Sequence, residues 1–270
     1  MLVFRTATSL NGTAGRVTAA GAGVAILLSL AGCGLATEHQ LDFTTTEDVR
    51  ITRITVAPGP GDVVIRTGAV STVRIGRSVR YRGGEPEASY RIDGTELFLD
   101  TACGRTCSVS FEILAPEGVT VRGRNGSGDA VFTRTGAVDF TMGSGSIEVI
   151  DPVGEVRVES KGSGDIRVTG ATSTVTLRTN SGSISGRGLG GGEVRAETSS
   201  GDIELSLDKP ASVRASTNSG DVRLTVPAGR YQVRTDTNSG EPDVRIPHDP
   251  GAALSLAVTT RSGDITIDRS

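Results

Sequence analysis

The sequence predicts an all-β protein, a β-helix or β-solenoid with coils of about nineteen residues. Three observations carry this prediction: a recurring Ser-Gly-Asp-Ile-type tetrad, alternating apolar and polar residues on both sides of it, and 37 Gly with only 3% aromatic residues. Alternation with a period of two is typical of half-buried strands. Abundant glycine with few large side chains indicates many tight corners around a thin core. A unit this short lacks room for a helical crossover, so each coil is expected to pair with the coils before and after it.

The tetrad marks the predicted corners, and its glycines recur 17 to 23 residues apart. These turn residues are Gly128, Gly145, Gly164, Gly182, Gly201, Gly220, Gly240 and Gly263. Each glycine is expected to supply a positive φ that other residues resist. The Asp that often follows is expected to bond its own backbone and so brace the turn. Asn180, Asn218 and Asn238 share one repeat position, so they are expected to stack as an amide ladder.

The N-terminal third of the domain is less regular. Within a predicted solenoid domain over 41–270, residues 41–120 are expected to form an irregular β cap that hides the first open edge. Regular repeats follow over 121–270, and Pro58-Gly59-Pro60-Gly61-Asp62 is interpreted as a degenerate corner. A separate small β-domain is the alternative interpretation of 41–120.

Residues 1–32 have the features of an export signal: two arginines without an acid, then a short apolar run. The segment ends in Leu30-Ala31-Gly32-Cys33, which resembles the lipobox of bacterial lipoproteins. That resemblance implies attachment of a diacylglycerol to Cys33, cleavage after Gly32 and acylation, for example with palmitate, of the new N-terminus; two or three such chains anchor a protein stably. Residues 33–40 are then a lipidated tether. An uncleaved membrane helix or an ordinary secretory peptide are the alternatives.

The two other cysteines, Cys103 and Cys107, are predicted to form a disulfide, as an even pair does in an exported protein. A metal site is the rival, but the pair lacks a second pair of ligands, and His39 and His248 are remote in sequence. No metal or cofactor is therefore expected.

Charge and carboxylate placement limit the function classes. The formal net charge of −3 argues against a nucleic-acid partner and against polybasic attachment to lipid. Asp202 and Asp221 occupy one position in neighbouring coils, where a carboxylate pair about 5 Å apart would suit a retaining glycosidase or Ca²⁺. A turn role is favoured because Asp or Ser fills this position in nearly every repeat, and no catalytic residue is predicted.

Outward-facing arginines alternate with glutamates along the predicted strands. They are Arg157, Arg167, Arg178, Arg195, Arg214, Arg223 and Arg234. A solvated face of mixed sign is the favoured interpretation, and a weakly polyanion-binding stripe is the alternative.

Strands ending in Ser-Gly-Asp-Ile, preceded by Phe111-Glu112-Ile113-Leu114-Ala115-Pro116-Glu117-Gly118-Val119, resemble the DUF4097 family of candidate adhesins. The resemblance covers roughly 50–270. It implies a single-stranded right-handed β-helix at the cell surface or in the periplasm, without an established activity or known site residues.

The predicted function is that of a non-enzymatic surface lipoprotein on the outer face of the cell membrane, held there by its lipid anchor. Its solenoid would serve envelope contact, adhesion or ligand binding, with a cell-envelope protein or a glycan as partner. One alternative is a glycan-active enzyme that uses carboxylates on adjacent coils. Another is an accessory or sensor component of an envelope-stress system.

Overall fold

The computed structural model describes residues 38–82 and 89–270. Regular structure in these ranges is entirely β, with 23 strands in two sheets, so the predicted all-β solenoid is confirmed. The predicted signal peptide and most of the tether, Cys33 included, lie outside the described residues. The described ranges hold no helix that is long and apolar enough to cross a membrane.

The strands in chain order are β1 (His39–Glu47), β2 (Arg53–Ala57), β3 (Val63–Gly68), β4 (Val73–Tyr81), β5 (Tyr90–Asp93), β6 (Glu96–Asp100), β7 (Cys107–Pro116), β8 (Thr120–Asn125), β9 (Ala130–Thr133), β10 (Val138–Met142), β11 (Ile147–Ile150), β12 (Val156–Ser163), β13 (Ile166–Thr169), β14 (Val175–Ser181), β15 (Ile184–Leu189), β16 (Val194–Ser200), β17 (Ile203–Leu207), β18 (Val213–Ser219), β19 (Val222–Val226), β20 (Tyr231–Ser239), β21 (Pro242–Val244), β22 (Leu254–Ser262) and β23 (Ile265–Arg269). Sheet A has the spatial order β1-β4-β7-β3-β9-β11-β13-β15-β17-β19-β23-β21. Sheet B has the order β20-β22-β18-β16-β14-β12-β10-β8-β2-β6-β5.

Each regular coil contributes one strand to sheet B, a glycine corner and one strand to sheet A. Neighbouring coils pair in parallel with like residues opposite each other, such as Val194 with Val213 in sheet B and Ile203 with Val222 in sheet A. These side chains are buried between the sheets. The period-two pattern therefore places a narrow aliphatic core inside and polar residues outside.

The N-terminal end departs from parallel stacking. Here β4 pairs antiparallel with both β1 and β7, and β5 pairs antiparallel with β6. Because β1 begins at His39, the last two residues of the predicted tether belong to a strand. Strands β2 and β3 pair directly with β8 and β9, so the described part of residues 41–120 is hydrogen-bonded into both sheets.

Arg77 on β4 covers the core at this end. Its guanidinium carbon lies 4.8 Å from the Phe43 ring centre and 4.9 Å from that of Tyr90. Burial lowers the pKa of Arg77. Contact with two aromatic faces stabilises the partly buried guanidinium cation of Arg77. The same contacts connect β1 and β4 of sheet A to β5 of sheet B.

The order of coils in space differs from their order in sequence at both ends. The last repeat, β22 and β23, lies between the β18–β19 coil and the β20–β21 coil. Likewise, the β2–β3 coil lies between β6–β7 and β8–β9. The expectation that every coil pairs with its sequence neighbours is therefore wrong in these two places. We call the β22–β23 repeat the inserted coil.

Apolar composition explains the position of the inserted coil. Its inward residues Val258 and Ile267 are at most 1% exposed. The end coil carries the less apolar Thr235 opposite Val258 and the smaller Val244 opposite Ile267, and Val244 is left 37% exposed at the end of the stack. Apolar area removed from water contributes about 25 cal/mol per Å², so the more apolar repeat is best placed between two others.

We predict that Val258→Ala lowers the free energy of unfolding by about 2 kcal/mol, because it removes methyl groups from a closed core. The matched change Val244→Ala should cost less than about 0.5 kcal/mol, since that side chain is partly exposed at the end. Denaturant unfolding of both variants measures this. A larger loss for Val244→Ala would place β20–β21 inside the stack.

Candidate functional site

The eight predicted corner glycines lie above one another in a single column. We call them, together with Gly61 of the predicted degenerate corner, the glycine stack. A Cβ atom added at any of the eight would lie within 3.0 Å of the carbonyl oxygen of the adjacent glycine in the column. Six of them have φ between 101° and 145°, but Gly164 and Gly182 do not have a positive φ. Glycine is thus required at every corner by close backbone approach, and only at some by φ.

The aspartates after the corner glycines bond the next coil rather than their own backbone, which corrects the expectation from sequence. The amide of Asp221 donates to Oδ1 of Asp202 over 2.8 Å, and the amide of Asp264 donates to Oδ1 of Asp221 over 2.8 Å. Asp129 bonds Asp62 of the degenerate corner in the same way. The carboxylate pair considered for catalysis therefore forms two steps of an inter-coil ladder.

A threonine ladder runs along the inside of the same corners. Each hydroxyl donates over 3.1 Å to a glycine carbonyl oxygen of the adjacent coil. The donors are Thr179, Thr198, Thr217, Thr260 and Thr237 in spatial order. The threonines were not singled out in the sequence, although Thr-x-Ser-Gly at all five corners was the signal that could have found them.

The predicted asparagine ladder is wrong. Asn180 and Asn218 are exposed and separated by the coil that carries Ser199. Asn218 and Asn238 are separated by Arg261 of the inserted coil. Amide stacking needs adjacent coils, and these asparagines are two strand steps apart.

The other sequence-predicted groups do not converge. Cys103 and Cys107 form the predicted disulfide, with Cα atoms 5.2 Å apart, which joins the loop before β7 to the first residue of that strand. His39 packs against Tyr81 at one end, while Nδ1 of His248 accepts the Val233 amide hydrogen at the other. Among the described residues no group of three His, Cys, Asp or Glu is placed to hold a metal ion.

The outward arginines divide into paired and unpaired sets. Arg157, Arg178 and Arg195 pair with Glu155, Glu197 and Glu193, at 3.5, 3.1 and 2.7 Å. The other four have no carboxylate within 4.0 Å in the described ranges: Arg167, Arg214, Arg223 and Arg234. The face is thus of mixed sign, with free cations at particular places rather than along a continuous stripe.

A groove of about 440 Å³ lies on the outer face of sheet B and crosses β14, β16, β18 and β22. It is lined by Arg178, Thr179, Glu197, Thr198, Ser199, Arg214, Ala215, Ser216, Ala257 and Thr259. The inserted coil places Ala257 in register between Arg214 and Arg234, and Thr259 beside Ser216. The short side chains of Ser216, Ala257 and Thr259 leave the space open, and the inserted coil supplies the last two.

The groove has the chemistry of a binding surface. Glu197 is the one carboxylate among its lining residues, and it is paired with Arg178. Acid–base cleavage of a glycosidic bond by a carboxylate pair needs two such groups. Hydroxyls and guanidinium groups make up most of the polar lining, which suits recognition of an anionic, hydrogen-bonding ligand.

Parallel coils joined by stacked glycine corners define a β-solenoid, and comparison with known proteins places it in a family. The chain belongs to the DUF4097 (Toastrack) family, whose model matches residues 112–268. No curated protein shows a significant match.

Two solved structures are similar. A candidate adhesin from Bacteroides fragilis is 13% identical, with a TM-score of 0.49, over 85% of this chain and 97% of that one. A candidate cell adhesion protein from Clostridium sporogenes is 10% identical, with a TM-score of 0.27, over 87% of this chain and 100% of that one.

We predict that Gly164→Ala lowers the free energy of unfolding by about 3 kcal/mol, because the new methyl overlaps the Gly145 carbonyl and the backbones must separate. Gly164 has no positive φ, so the loss isolates the effect of close approach. The control is Gly251→Ala, whose Cβ would come no closer than 3.5 Å to another atom and which should change stability by less than about 0.5 kcal/mol. Equal losses in chemical denaturation would contradict the close-approach constraint.

Proposed function

We propose that this protein is a non-enzymatic surface lipoprotein, anchored in the membrane by acylated Cys33, whose rigid solenoid presents its lateral face for envelope contact or adhesion. The observation that carries the proposal is the use of the repeated polar groups. The corner aspartates and threonines are hydrogen-bonded between coils, so they hold the shape of the scaffold. The side chains available to a partner are those of the outer sheet faces.

The position of the anchor relative to the groove supports this role. Strand β1 begins six residues after Cys33 and forms one edge of sheet A. From β1 to β19, which belongs to a groove-bearing coil, there are nine strand steps of ~4.8 Å, or about 43 Å. A stack that stands on its N-terminal end would hold the groove far from the lipid surface, where a partner can reach it.

The glycan-active alternative receives less support. Asp202 and Asp221 each accept a backbone amide hydrogen from the next coil, which serves the stack. The groove holds a single carboxylate that is already paired. A binding function needs only the groups present there.

We predict that Cys33→Ala moves the protein from the membrane fraction to the soluble fraction, because no acyl chain can then be attached. Mass spectrometry of the wild-type protein should show a mature N-terminus at Cys33 that carries acyl chains. The control is the double change Cys103→Ser/Cys107→Ser, which removes the other cysteines and should leave the protein in the membrane. An unmodified Cys33 in membrane-bound protein would refute the anchor.

A further inference from the structure

We propose that the groove on sheet B binds a linear anionic glycan, with Arg214 and Arg234 contacting its acidic groups from opposite sides of Ala257. The inference rests on the proposed surface function and names its ligand class. It is carried by the placement of two free cations on either side of Ala257, next to the hydroxyl-bearing side chains of Ser216 and Thr259. Arg214 lines the groove, and Arg234 lies beside it on β20.

The charge of this region contrasts with that of the chain. Arg214 and Arg234 are exposed and have no carboxylate within 4.0 Å in the described ranges, and the same holds for Arg261. Asp236, in register with Thr259, and Glu159, in register with Arg178, are the neighbouring acids without an ion pair. Three free guanidinium groups and two free carboxylates leave a small local positive excess on a chain whose net charge is −3. Such a contrast attracts anions to one place on the surface.

The spacing of the cations suits a polymer strand. Arg214 and Arg234 are two strand steps apart, or ~9.6 Å between Cα atoms. Ala257 lies between them and leaves the space open. This distance is comparable with the length of a disaccharide unit, so one extended sugar chain in the groove can meet both guanidinium groups.

The remaining lining favours a sugar polymer over other polyanions. The hydroxyls of Ser199, Ser216 and Thr259 form no hydrogen bond with another described residue. They are therefore available to a ligand rich in hydroxyls. The groove has no aromatic lining residue, and neutral sugars and nucleobases are commonly held by stacking on aromatic rings. A ligand that combines acidic groups with hydroxyls gains from both features of the groove.

The test measures binding by the full mature protein in detergent to polygalacturonate, a carboxylated glycan, and to heparin, a sulfated one. Neutral dextran and inorganic polyphosphate are the comparison probes. We expect one or both anionic glycans to bind, with an affinity that falls as salt rises, and dextran not to bind. A preference for polygalacturonate would assign carboxylate recognition, and a preference for heparin would assign sulfate recognition.

Variants locate the site. Arg214→Ala/Arg234→Ala should weaken glycan binding by about tenfold or more, since two charge-assisted contacts are lost. Arg167→Ala/Arg223→Ala is the matched control, because it removes two exposed, unpaired arginines from sheet A, away from the groove, and it should change affinity by less than about twofold. Ala257→Leu should weaken binding without any change of charge, because it fills the space between the guanidinium groups.

Three results would overturn the proposal: equal losses in both arginine pairs, no effect of Ala257→Leu, or polyphosphate binding as tightly as the better glycan. Failure to bind any probe would also overturn it. These outcomes are independent of the anchor, because binding is measured in detergent solution. If Cys33 is acylated but the protein binds no glycan, this inference alone is rejected. If the protein binds glycan but Cys33 is unmodified, the anchor alone is rejected.

Discussion

The structure depends on the close approach of backbones at the corners of its coils. The carbonyl oxygen of each corner glycine occupies the space that a Cβ atom on the adjacent corner would need. Threonine hydroxyls donate to the same carbonyls from the inner side, and corner carboxylates accept the amide hydrogen of the residue that follows the next glycine. Backbone contact and two hydrogen-bond ladders therefore meet at one column, and a coil can join only in one register. This shape requirement leaves the outer faces free to vary.

A column that specifies register does not specify chain order. Gly263 of the inserted coil takes the position between Gly220 and Gly240, although Gly240 comes first in the sequence. Since all corners are nearly equivalent, apolar composition selects which repeat lies inside, and the inserted coil carries Val258 and Ile267 where the end coil carries Thr235 and Val244. The same exchange places Ala257 between two arginines. The exchange of the last two coils thus determines both which repeat ends the stack and which side chains lie beside Arg214.

Much of the fold was predictable from the sequence, and two of the errors share the exchange of coils as their origin. The period of the tetrad predicted the solenoid and placed its corners, and the even pair of cysteines predicted the disulfide. The asparagine ladder failed between Asn180 and Asn218 because a coil without an asparagine lies between them, and between Asn218 and Asn238 because the inserted coil separates them. The groove could not be foreseen for the same reason: its floor is adjacent to Arg214 and Arg234 only after the exchange of coils. Exchange depends on small differences in burial between similar repeats, which the alternation pattern does not resolve.

The most direct test of the account is disulfide trapping between outward positions of β18, β22 and β20 in the full chain. Ser216 is opposite Thr259, and Thr259 is opposite Asp236. Cysteine pairs introduced as Ser216→Cys/Thr259→Cys and as Thr259→Cys/Asp236→Cys have Cα atoms ~4.8 Å apart, within the range of a disulfide, whereas Ser216→Cys/Asp236→Cys spans ~9.6 Å. We predict that the two pairs that include Thr259→Cys cross-link on oxidation and that Ser216→Cys/Asp236→Cys does not. Efficient cross-linking of the third pair would show that the coils stack in chain order and would contradict the inserted coil.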